Sequence, residues 1–560
     1  EGSVSVTIRF EHAGGAIRGW LTAGGYSTPR VQGHVPGLQS RSSLCTALSG
    51  RAREVAGIGC LLVWASLAGC GYSVSRGPSR LDSPPVFDRV IEHRLANGMR
   101  FLLLPRPGVP TVAGRIVVRV GSVDDPLMGS GLAHMFEHMA FKGTDVIGTR
   151  GLARERALAD SIAIAGEHLA AELERPGGPD SSCIATTRRS IARLREREQE
   201  LISPTEWPRI YDRYTYGFNA RTGPDFTTYE ALFPSNNLEV WMLMESERLQ
   251  RPMFRDFYSE IEILKEERRQ KVDDSPEAMA RELEHSLVFG DRPYGKPTLG
   301  CESDIDRLTP RRLADFWRQH YVTANMSAVL VGDFKASAAI ELIERYFGDM
   351  PRGPAPPEAP HCWKLPSEQA RAIHVQGEER LLLIAFAGSE FKEAERAAAE
   401  LLADVLARDR TSRLQQRLDL QEGLTRRISV SACGGYQRYP GLFEIAVRPL
   451  PGVTNEAVEK IVWEELARLV THPIEDSKLA EIRSARRKAF YFQLERNQTL
   501  ADLLAPDFAL GDWRRAWRRY QLEAEVTASD LSRFAASMLR PELATVVLLE
   551  PTNAVVPANQ

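Results

Sequence analysis

Two stretches of this chain repeat one another at a constant offset, and the repeat constrains the fold more than any other feature. The segment LTPRRLADF (308–316) is similar to VTASDLSRF (526–534), and the apolar run SAVL (327–330) is similar to TVVL (545–548). The offset is 527 − 309 = 218 residues for the first pair and 545 − 327 = 218 for the second. In each copy a threonine stands where a helix would begin, which is a preferred N-cap position. Two related halves are therefore expected.

The chain is long enough for these halves to be separate domains. Its 560 residues, 43% of them hydrophobic, can bury more than one core. A proline-rich segment at 350–366 predicts a semi-rigid linker, which places the domains at 87–349 and 367–556. Asn97-Gly98 between two apolar runs is a strong hairpin signal. The sequence therefore predicts an α+β fold with mainly antiparallel sheets covered by helices.

The stretch SGLAHMFEHMAFKGT (130–144) carries the most specific chemical signal, an H-x-x-E-H motif inside an apolar helical run. His134 and His138 project from one face of a helix, and Glu137 lies beside them. A solvated surface pair is the plain alternative, but polar groups among so many apolar neighbours need a buried partner. Two imidazoles suit Zn²⁺ with one position left for water, whose proton a carboxylate can accept. The pattern predicts a metallopeptidase centre.

A later helical stretch, FYSEIEILKEERR (257–269), offers four glutamates as a further ligand. Glu260 and Glu267 are two helical turns apart and share a face with apolar residues, whereas Glu262 and Glu266 point elsewhere. Carboxylates on an apolar face are costly unless a positive charge meets them. The spacing therefore selects Glu260 and Glu267 as the inward pair, with a solvated, charge-rich helix as the alternative.

Together with LANG (95–98) and RIVVRV (115–120), the motif segment resembles the pitrilysin/insulinase family of inverted-motif zinc peptidases. Mitochondrial processing peptidase and many bacterial homologues belong to that family. The resemblance runs from about residue 87 to about residue 551. It implies two homologous domains, each a sheet covered by helices, of which only the first binds metal.

The resemblance also implies roles for the residues of the motif. His134, His138 and Glu267 would hold one Zn²⁺ per chain, and Glu260 would support the ligands. Glu137 would be the general base toward a metal-activated water. The predicted function is a zinc-dependent metalloendopeptidase that hydrolyses unstructured peptides.

In the stretch YGFNARTGPDFTTY (216–229), aromatic and β-branched residues alternate after a polar turn, which predicts a strand beside the site. In the family, the matching Asn-Ala edge pairs with the main chain of the substrate, which makes Asn219 and Ala220 candidate substrate-binding residues. A purely structural strand fits the local pattern nearly as well.

The second half departs from the family pattern. Many members carry an arginine and a tyrosine, seven residues apart, that bind the substrate carbonyl, but here Asp419 and Arg426 occupy those positions. Arg417 and Arg427 lie nearby and leave a shifted substitute open. We therefore expect a homologous subunit that supplies the pair, or a homodimer. The alternative is a non-catalytic scaffold or a peptide-binding subunit of a family heterodimer.

Residues 150–205 are rich in Ala, Leu, Arg and Glu at helical period and are broken by PGGPD (176–180), which predicts a helical-hairpin insertion in the first domain. The net charge of −3 and the balanced acids and bases give no nucleic-acid footprint. The cysteines show no paired spacing that would indicate a disulfide framework.

The start of the chain predicts a lipid anchor. Basic residues, a short apolar run and Leu67-Ala-Gly-Cys70 within residues 44–70 are typical of a bacterial lipoprotein signal peptide, with Cys70 as the lipidation site. Residues 71–86 would be a linker, and residues 1–43 would not belong to the mature protein. The expected location is the bacterial cell envelope, facing the periplasm, with membrane contact only through the anchor.

Overall fold

The computed structural model describes residues 6–9, 83–356, 370–388, 393–432 and 438–552. The strands are β1 (Val6–Arg9), β2 (Ile91–Arg94), β3 (Arg100–Pro105), β4 (Thr111–Val118), β5 (Gly217–Thr222), β6 (Thr227–Pro234), β7 (Met326–Gly332), β8 (Ala370–Val375), β9 (Leu381–Ala387), β10 (Thr425–Ser431), β11 (Leu442–Pro449) and β12 (Ala544–Glu550). The first-half helices are α1 (Leu132–Met139), α2 (Leu152–Leu173), α3 (Ser181–Gln199), α4 (Glu206–Tyr214), α5 (Leu238–Gln250), α6 (Phe257–Arg268), α7 (Pro276–Phe289), α8 (Glu302–Ile305), α9 (Pro310–His320) and α10 (Ala336–Phe347). The second-half helices are α11 (Glu393–Ala407), α12 (Asn455–Thr471), α13 (Asp476–Gln493), α14 (Asn497–Ala509), α15 (Arg515–Glu525) and α16 (Ala528–Met538).

Two six-stranded sheets share one topology. Their strand orders are β2-β3-β7-β4-β6-β5 and β1-β8-β12-β9-β11-β10, so that, numbered along each sheet's own strands, both read 1-2-6-3-5-4. One pair in each sheet is parallel, β3 with β7 and β8 with β12, and the other neighbours are antiparallel. The predicted α+β fold with two related sheets is confirmed.

The repeated sequence segments form equivalent elements in the two halves. One copy forms α9 and β7, and the other forms α16 and β12. The side chain of Thr309 accepts a hydrogen bond from the backbone N–H of Arg312 at 3.1 Å, which caps α9. Thr527 and Asp530 form a reciprocal capping box at the start of α16. The threonines therefore satisfy backbone N–H groups that a helix end leaves unpaired.

The outermost strand of the second sheet comes from a segment that the sequence predicts to lie outside the fold. Val6–Arg9 pairs antiparallel with β8, Val6 opposite His374 and Arg9 opposite Arg371. The run VTIR is rich in β-branched residues, which favour extended backbone. The sequence analysis places residues 1–43 outside the mature protein, which stays a prediction, although these four residues pair with the second sheet. Residues 44–70 with Cys70, most of the 71–86 linker and residues 357–366 lie outside the described residues.

Each half places one helix on the sheet of the other half. Helix α7 packs on β9 and β12 of the second sheet, and α14 packs on β4 and β7 of the first. The exchange is reciprocal, because α7 shifted by 218 residues would span 494–507 and α14 spans 497–509. Buried Arg115 on β4 reaches Asp502 on α14 at 2.7 Å. The two halves are therefore held together by exchanged helices.

The core of the first half lies between its sheet and a layer of helices. Apolar residues of α1, α5, α6, α9 and α10 form one cluster with residues of β3, β4, β6 and β7. In α1 the ring of Phe136 lies 4.0 Å, centroid to centroid, from that of Tyr321. This packing leaves α1 almost wholly enclosed, so any polar side chain on it must find its partners inside the protein.

The predicted insertion is a hairpin of α2 and α3. Its ends meet, because the N–H of Arg150 donates to the carbonyl of Leu201 at 2.7 Å and Thr149 bridges to Ile202. The PGGPD turn ends at Asp180, whose side chain caps α3 through the N–H groups of Ser182 and Cys183. A hairpin whose ends are adjacent can enter the fold without displacing the elements around it. In the described part of the chain, none of the helices has the length and apolar character needed to cross a bilayer.

A buried carboxyl group lies where α7 meets the second sheet. Glu284 is completely buried, and its two oxygens find no hydrogen-bond donor in the described part of the chain. Burial, and then the facing carboxylate of Glu444, raises the pKa of Glu284 well above its usual value, while Arg281 opposes the shift. Arg281 itself forms an ion pair with Glu444. The folded protein therefore favours a protonated Glu284.

We expect Glu284→Gln to stabilise the protein increasingly as the pH rises from about 5 to about 8. Because the folded state holds this proton more tightly than the unfolded chain, parent stability falls with rising pH, by up to about 1.4 kcal/mol per pH unit. Glutamine lacks that proton and should flatten the slope. Thermal unfolding across this pH range measures the difference, with Glu196→Gln at an exposed position of α3 as the control. An equal gain at every pH would contradict the buried, protonated carboxyl.

Candidate metal centre

Helix α1 is held firmly at its first turn. The buried carboxylate of Asp125 accepts hydrogen bonds from the N–H groups of Gly131 at 2.7 Å and Ala133 at 2.9 Å. Ser130 binds Asp304 through its N–H at 3.0 Å and its hydroxyl at 2.7 Å. Gly131 has φ = +97°, a conformation that side chains rarely adopt. These contacts fix the direction in which the side chains of α1 point.

The two histidines of α1 meet one carboxylate of α6. Nε2 of His134 lies 3.5 Å from Oε2 of Glu267, and Nε2 of His138 lies 3.3 Å from the same oxygen. Ligand atoms of all three residues lie within 4.8 Å of one another. The three residues come from two helices separated by the insertion and the strands β5 and β6. The structure therefore brings together the three side chains that the sequence singles out.

The geometry of this trio fits a zinc ion. At bond lengths of about 2.0–2.2 Å, tetrahedral coordination places ligand atoms about 3.3–3.5 Å apart, and the two measured separations are 3.3 and 3.5 Å. Two imidazole nitrogens and one carboxylate oxygen are also the donor set of many catalytic zinc sites, which keep one position open. Both the spacing and the chemistry of the donors thus agree with the metal.

A fourth side chain orients one of the histidines. Oε2 of Glu260 lies 3.2 Å from Nδ1 of His138, the ring nitrogen that faces away from Glu267. Lys142 forms an ion pair with the other oxygen of Glu260. A carboxylate behind a ligating histidine fixes its tautomer and its ring orientation. Glu260 is in the supporting position implied by the family resemblance, whereas Glu262 and Glu266 are exposed to solvent.

The pKa values of His134, His138 and Glu267 are shifted in different directions. Burial, and then the neighbouring His138, lowers the pKa of His134 to about 4, with Glu267 opposing. Burial also disfavours charge on His138, but hydrogen bonds to Glu260 and Glu267 outweigh it and raise its pKa to about 9. The bond from His138 holds the pKa of Glu267 at about 2, with Lys271 adding to the effect and burial opposing it. A positive charge is therefore favoured between these side chains.

Glu137 occupies the open side of the trio. It lies next to His138 in sequence, and burial raises the pKa of its carboxyl group, with hydrogen bonds to Thr222 opposing. A carboxylate with a raised pKa is a better proton acceptor near neutral pH than an exposed one. Because Thr222 is the last residue of β5, this contact also links the strand to the centre.

Strand β5 forms the edge of the first sheet next to α1. Its inner side pairs with β6, Asn219 opposite Glu230 and Ala220 opposite Tyr229. Asn219 is exposed and Ala220 is buried. An edge strand has one row of backbone groups directed away from its sheet, where another extended chain can pair. Asn219 and Ala220 therefore lie on the strand that leads to Glu137.

A cavity of about 260 Å³ opens beside the trio. Its walls comprise Glu137, His138, Phe141, Lys142, Pro204, Pro208 and Glu260. The two prolines close it from the segment where the insertion ends and α4 begins. Nothing local in the sequence marks the two prolines as neighbours of the motif. Lys142 was not predicted either, although it stands four positions after His138, the spacing of one helical face.

In the second half, the positions of the family's Arg/Tyr pair are engaged elsewhere. Arg426 pairs with Glu379 at 2.7 Å, and Arg417 pairs with Glu422 at 2.6 Å. Asp419 lies in the π-helical segment Gln415–Gln421. Arg427 lines a small cavity of about 60 Å³ with residues of α7 and β11. Within the described segments, no hydrogen bond or ion pair joins these residues to His134, His138 or Glu267.

One contact between the halves lies close to the start of α1. Arg438 of the second half pairs with half-buried Asp124 at 2.7 Å. The N–H of Tyr439 donates to the hydroxyl of Tyr294 at 3.0 Å, and that hydroxyl donates to Asp225 at 2.9 Å. Asp225 lies in the turn between β5 and β6. No local sequence pattern predicts this contact, because it joins residues that are far apart along the chain.

Two models of one protein family match this chain. A family model described as Insulinase (Peptidase family M16) matches residues 100–172, and one described as Peptidase M16 inactive domain matches residues 307–486. The first match contains the H-x-x-E-H motif, and the second contains the repeated segment at 308–316.

Similar proteins are named as zinc proteases. An uncharacterised zinc protease from Rickettsia felis is 24% identical over 393 residues, covering 68% of this chain and 80% of that protein. Zinc protease PqqE from Helicobacter pylori is 22% identical over 468 residues, covering 82% of this chain and 92% of that protein.

The fold is also similar to solved structures. The crystal structure of a protease from Helicobacter pylori has a TM-score of 0.68 at 20% identity and covers 82% of this chain and 99% of that one. The family models, the named relatives and the paired sheets agree: this chain belongs to the pitrilysin/insulinase family, peptidase family M16.

Proposed function

We propose that this protein is a zinc-dependent metalloendopeptidase that hydrolyses unstructured peptides. The observation that carries the proposal is the convergence of His134, His138 and Glu267 at separations that suit tetrahedral zinc. Its relatives named as zinc proteases support the same chemistry. Glu137 on the open side of the centre supplies the general base.

Different residues of this chain have different roles in hydrolysis. A bound zinc ion would supply a Lewis acid that acidifies water and polarises the scissile carbonyl. Glu137 accepts a proton from the attacking water and returns it to the amide nitrogen as the carbon–nitrogen bond breaks. Glu260 keeps the ring of His138 oriented through Nδ1.

The substrate would bind as an additional strand beside β5. Its main chain would pair with the outward edge that carries Asn219 and Ala220, which leads toward Glu137 through Thr222. This mode requires a substrate whose backbone groups are free, so a folded protein would have to unfold locally first. The cavity lined by Phe141, Pro204 and Pro208 would then accept one apolar side chain next to the cleaved bond.

We expect Glu137→Gln to retain zinc and to lose peptidase activity, by about a hundredfold or more. Glutamine keeps the size of the side chain but cannot accept the proton. His138→Ala should lose both zinc and activity, because it removes one of three ligands. Metal analysis of the purified variants and a fluorogenic unstructured peptide, with and without chelator, measure both properties. Parent-like cleavage by Glu137→Gln would exclude this residue as the base.

We expect Glu260→Gln to weaken zinc binding by about tenfold to a hundredfold, because a neutral amide orients His138 less strongly. Glu262→Gln is the matched control, since it makes the same change on the exposed face of α6. Competition with a zinc-binding dye measures both affinities. Equal affinities for the two variants would show that the contact with Glu260 does not tune the site.

A second candidate function is a subunit that acts through a homologous partner. It is favoured by Asp419 and Arg426, which stand where many family members have the arginine and tyrosine that bind the substrate carbonyl. The match of residues 307–486 to an inactive-domain model points in the same direction. Either a partner subunit supplies these donors to a catalytic chain, or this chain is a non-catalytic scaffold or peptide-binding subunit.

We expect the isolated chain to cleave a fluorogenic peptide about a hundredfold more slowly than the chain co-expressed with a homologous subunit that carries the Arg/Tyr pair. The reason is that a missing hydrogen-bond donor costs a few kcal/mol of transition-state stabilisation. Glu137→Gln in the co-expressed pair separates the roles, because it abolishes cleavage only if this chain is catalytic. Full activity of the isolated chain would contradict the need for a partner.

We also propose that the protein is anchored in the bacterial cell envelope through Cys70. The support is the signal-like sequence of residues 44–70, a basic region and a short apolar run ending in Leu67-Ala-Gly-Cys70. The anchor would keep the peptidase at the membrane, where it would meet unstructured peptides of the periplasm.

A further inference from the structure

The end of α13 exposes two aromatic rings beside two cations. Tyr491 is 39% exposed and Phe492 is 64% exposed, although the neighbouring Phe490 is buried against Trp517. Arg487 and Lys488, one turn earlier on the same face, are also exposed. The guanidinium of Arg487 lies 5.8 Å from the centroid of the Tyr491 ring. Two adjacent exposed rings beside two exposed cations form an amphipathic patch on this helix end.

Neighbouring loops extend this surface with further cations. Arg106, in the loop between β3 and β4, donates to the carbonyl of Glu495 at 3.1 Å, which places it beside the end of α13. Arg496 follows in the next position and is exposed. We define the basic–aromatic face as Arg106, Arg487, Lys488, Tyr491, Phe492 and Arg496. The acid that lies within it is Glu495.

The cations of this face have no anionic partner. Within the described residues, none of Arg106, Arg487, Lys488 and Arg496 forms an ion pair. Arg486 on the inner side of the same helix behaves differently, since it contacts Glu400 at 2.7 Å and Glu523 at 2.6 Å. The chain therefore neutralises the inward cation and leaves the outward ones available.

The described segment 83–356 starts near this face. Phe87, in the first helical turn of that segment, packs on Trp513 with ring centroids 5.4 Å apart. Its neighbour Arg89 is close enough to Arg106 to lower the pKa of that guanidinium, after the larger effect of burial. Cys70 precedes Ser83 by 83 − 70 = 13 residues, which reach at most about 45 Å when extended. A lipid on Cys70 would hold this side of the protein near the membrane.

We infer that the basic–aromatic face docks on a membrane surface that carries anionic headgroups. Exposed tyrosine and phenylalanine insert favourably at the boundary between headgroups and acyl chains, and arginine and lysine attract anionic lipid. One acyl chain alone binds a membrane only marginally, whereas a chain combined with a basic patch anchors stably. The face orients the protein on the bilayer, an activity separate from peptide hydrolysis.

A protein partner is a less suitable occupant of this face. Specific protein interfaces have a buried apolar centre with a charged rim, but here two adjacent rings stand among four cations with little apolar area around them. A planar, laterally mobile layer of anions can meet all four cations without a matched arrangement of partners. The positive charge of this face complements anionic lipid. Its position near the start of the segment 83–356, which follows Cys70, also favours the lipid surface.

The test uses the full chain with Cys70→Ser, which removes the lipid but keeps the face. Flotation with vesicles that contain phosphatidylglycerol is compared with flotation on phosphatidylcholine vesicles. We expect binding to the first, no binding to the second, and release by salt, because exposed charges are screened. Arg487→Ala with Lys488→Ala should weaken binding about tenfold, and Tyr491→Ser with Phe492→Ser should also weaken it.

Arg188→Ala with Arg189→Ala on α3 is the matched control, since it removes two exposed cations elsewhere on the protein. Thermal unfolding and zinc content verify that every variant is folded. The inference is overturned if the control weakens binding as much as the face variants, or if the parent binds both vesicles equally. It is equally overturned if the parent ignores vesicles and the face variants instead disrupt a complex with another protein. Peptidase activity of the face variants should equal that of the parent, so failure of the proposed hydrolysis leaves this result unaffected.

Discussion

The structure depends on a charge balance at the point where α1 and α6 meet. Three carboxylates, Glu137, Glu260 and Glu267, are brought close to two imidazoles in a largely enclosed space. Such a group of acids repels itself unless positive charge is supplied. Lys142 and Lys271 offset two of them from the sides, at Glu260 and Glu267. The centre itself still requires a cation, which a proton on His138 or a divalent metal can provide.

The second half contributes to the position of Glu267 in this centre. Glu267 stands near the end of α6, which continues through the π-helical segment Arg269–Asp273 toward α7 on the second sheet. Arg268 reaches Glu282 of α7 at 3.0 Å and so braces that junction. The position of the third ligand therefore depends on how α7 packs against the other half. The packing of the second half thus helps to hold Glu267 beside the two histidines.

The sequence predicts best those features that are set by local spacing. The period of α1 and α6 placed His134, His138, Glu260 and Glu267 inward, and the repeat predicted two related halves. Spacing could not reveal Pro204 and Pro208, because their place beside the motif depends on how the ends of the hairpin meet. The strand Val6–Arg9 was not predicted for the same reason, because its pairing with β8 depends on residues far away in the sequence.

In the second half, the arginines near the family's Arg/Tyr positions form ion pairs within this chain. Arg426 sits at a bulge in β10 and pairs with Glu379, to which Arg448 also binds. Arg448 and Arg281 in turn hold Glu277 at the start of α7. Redirecting Arg426 or Arg448 toward a substrate would break their contacts with Glu379, and for Arg448 also the contact with Glu277 on α7.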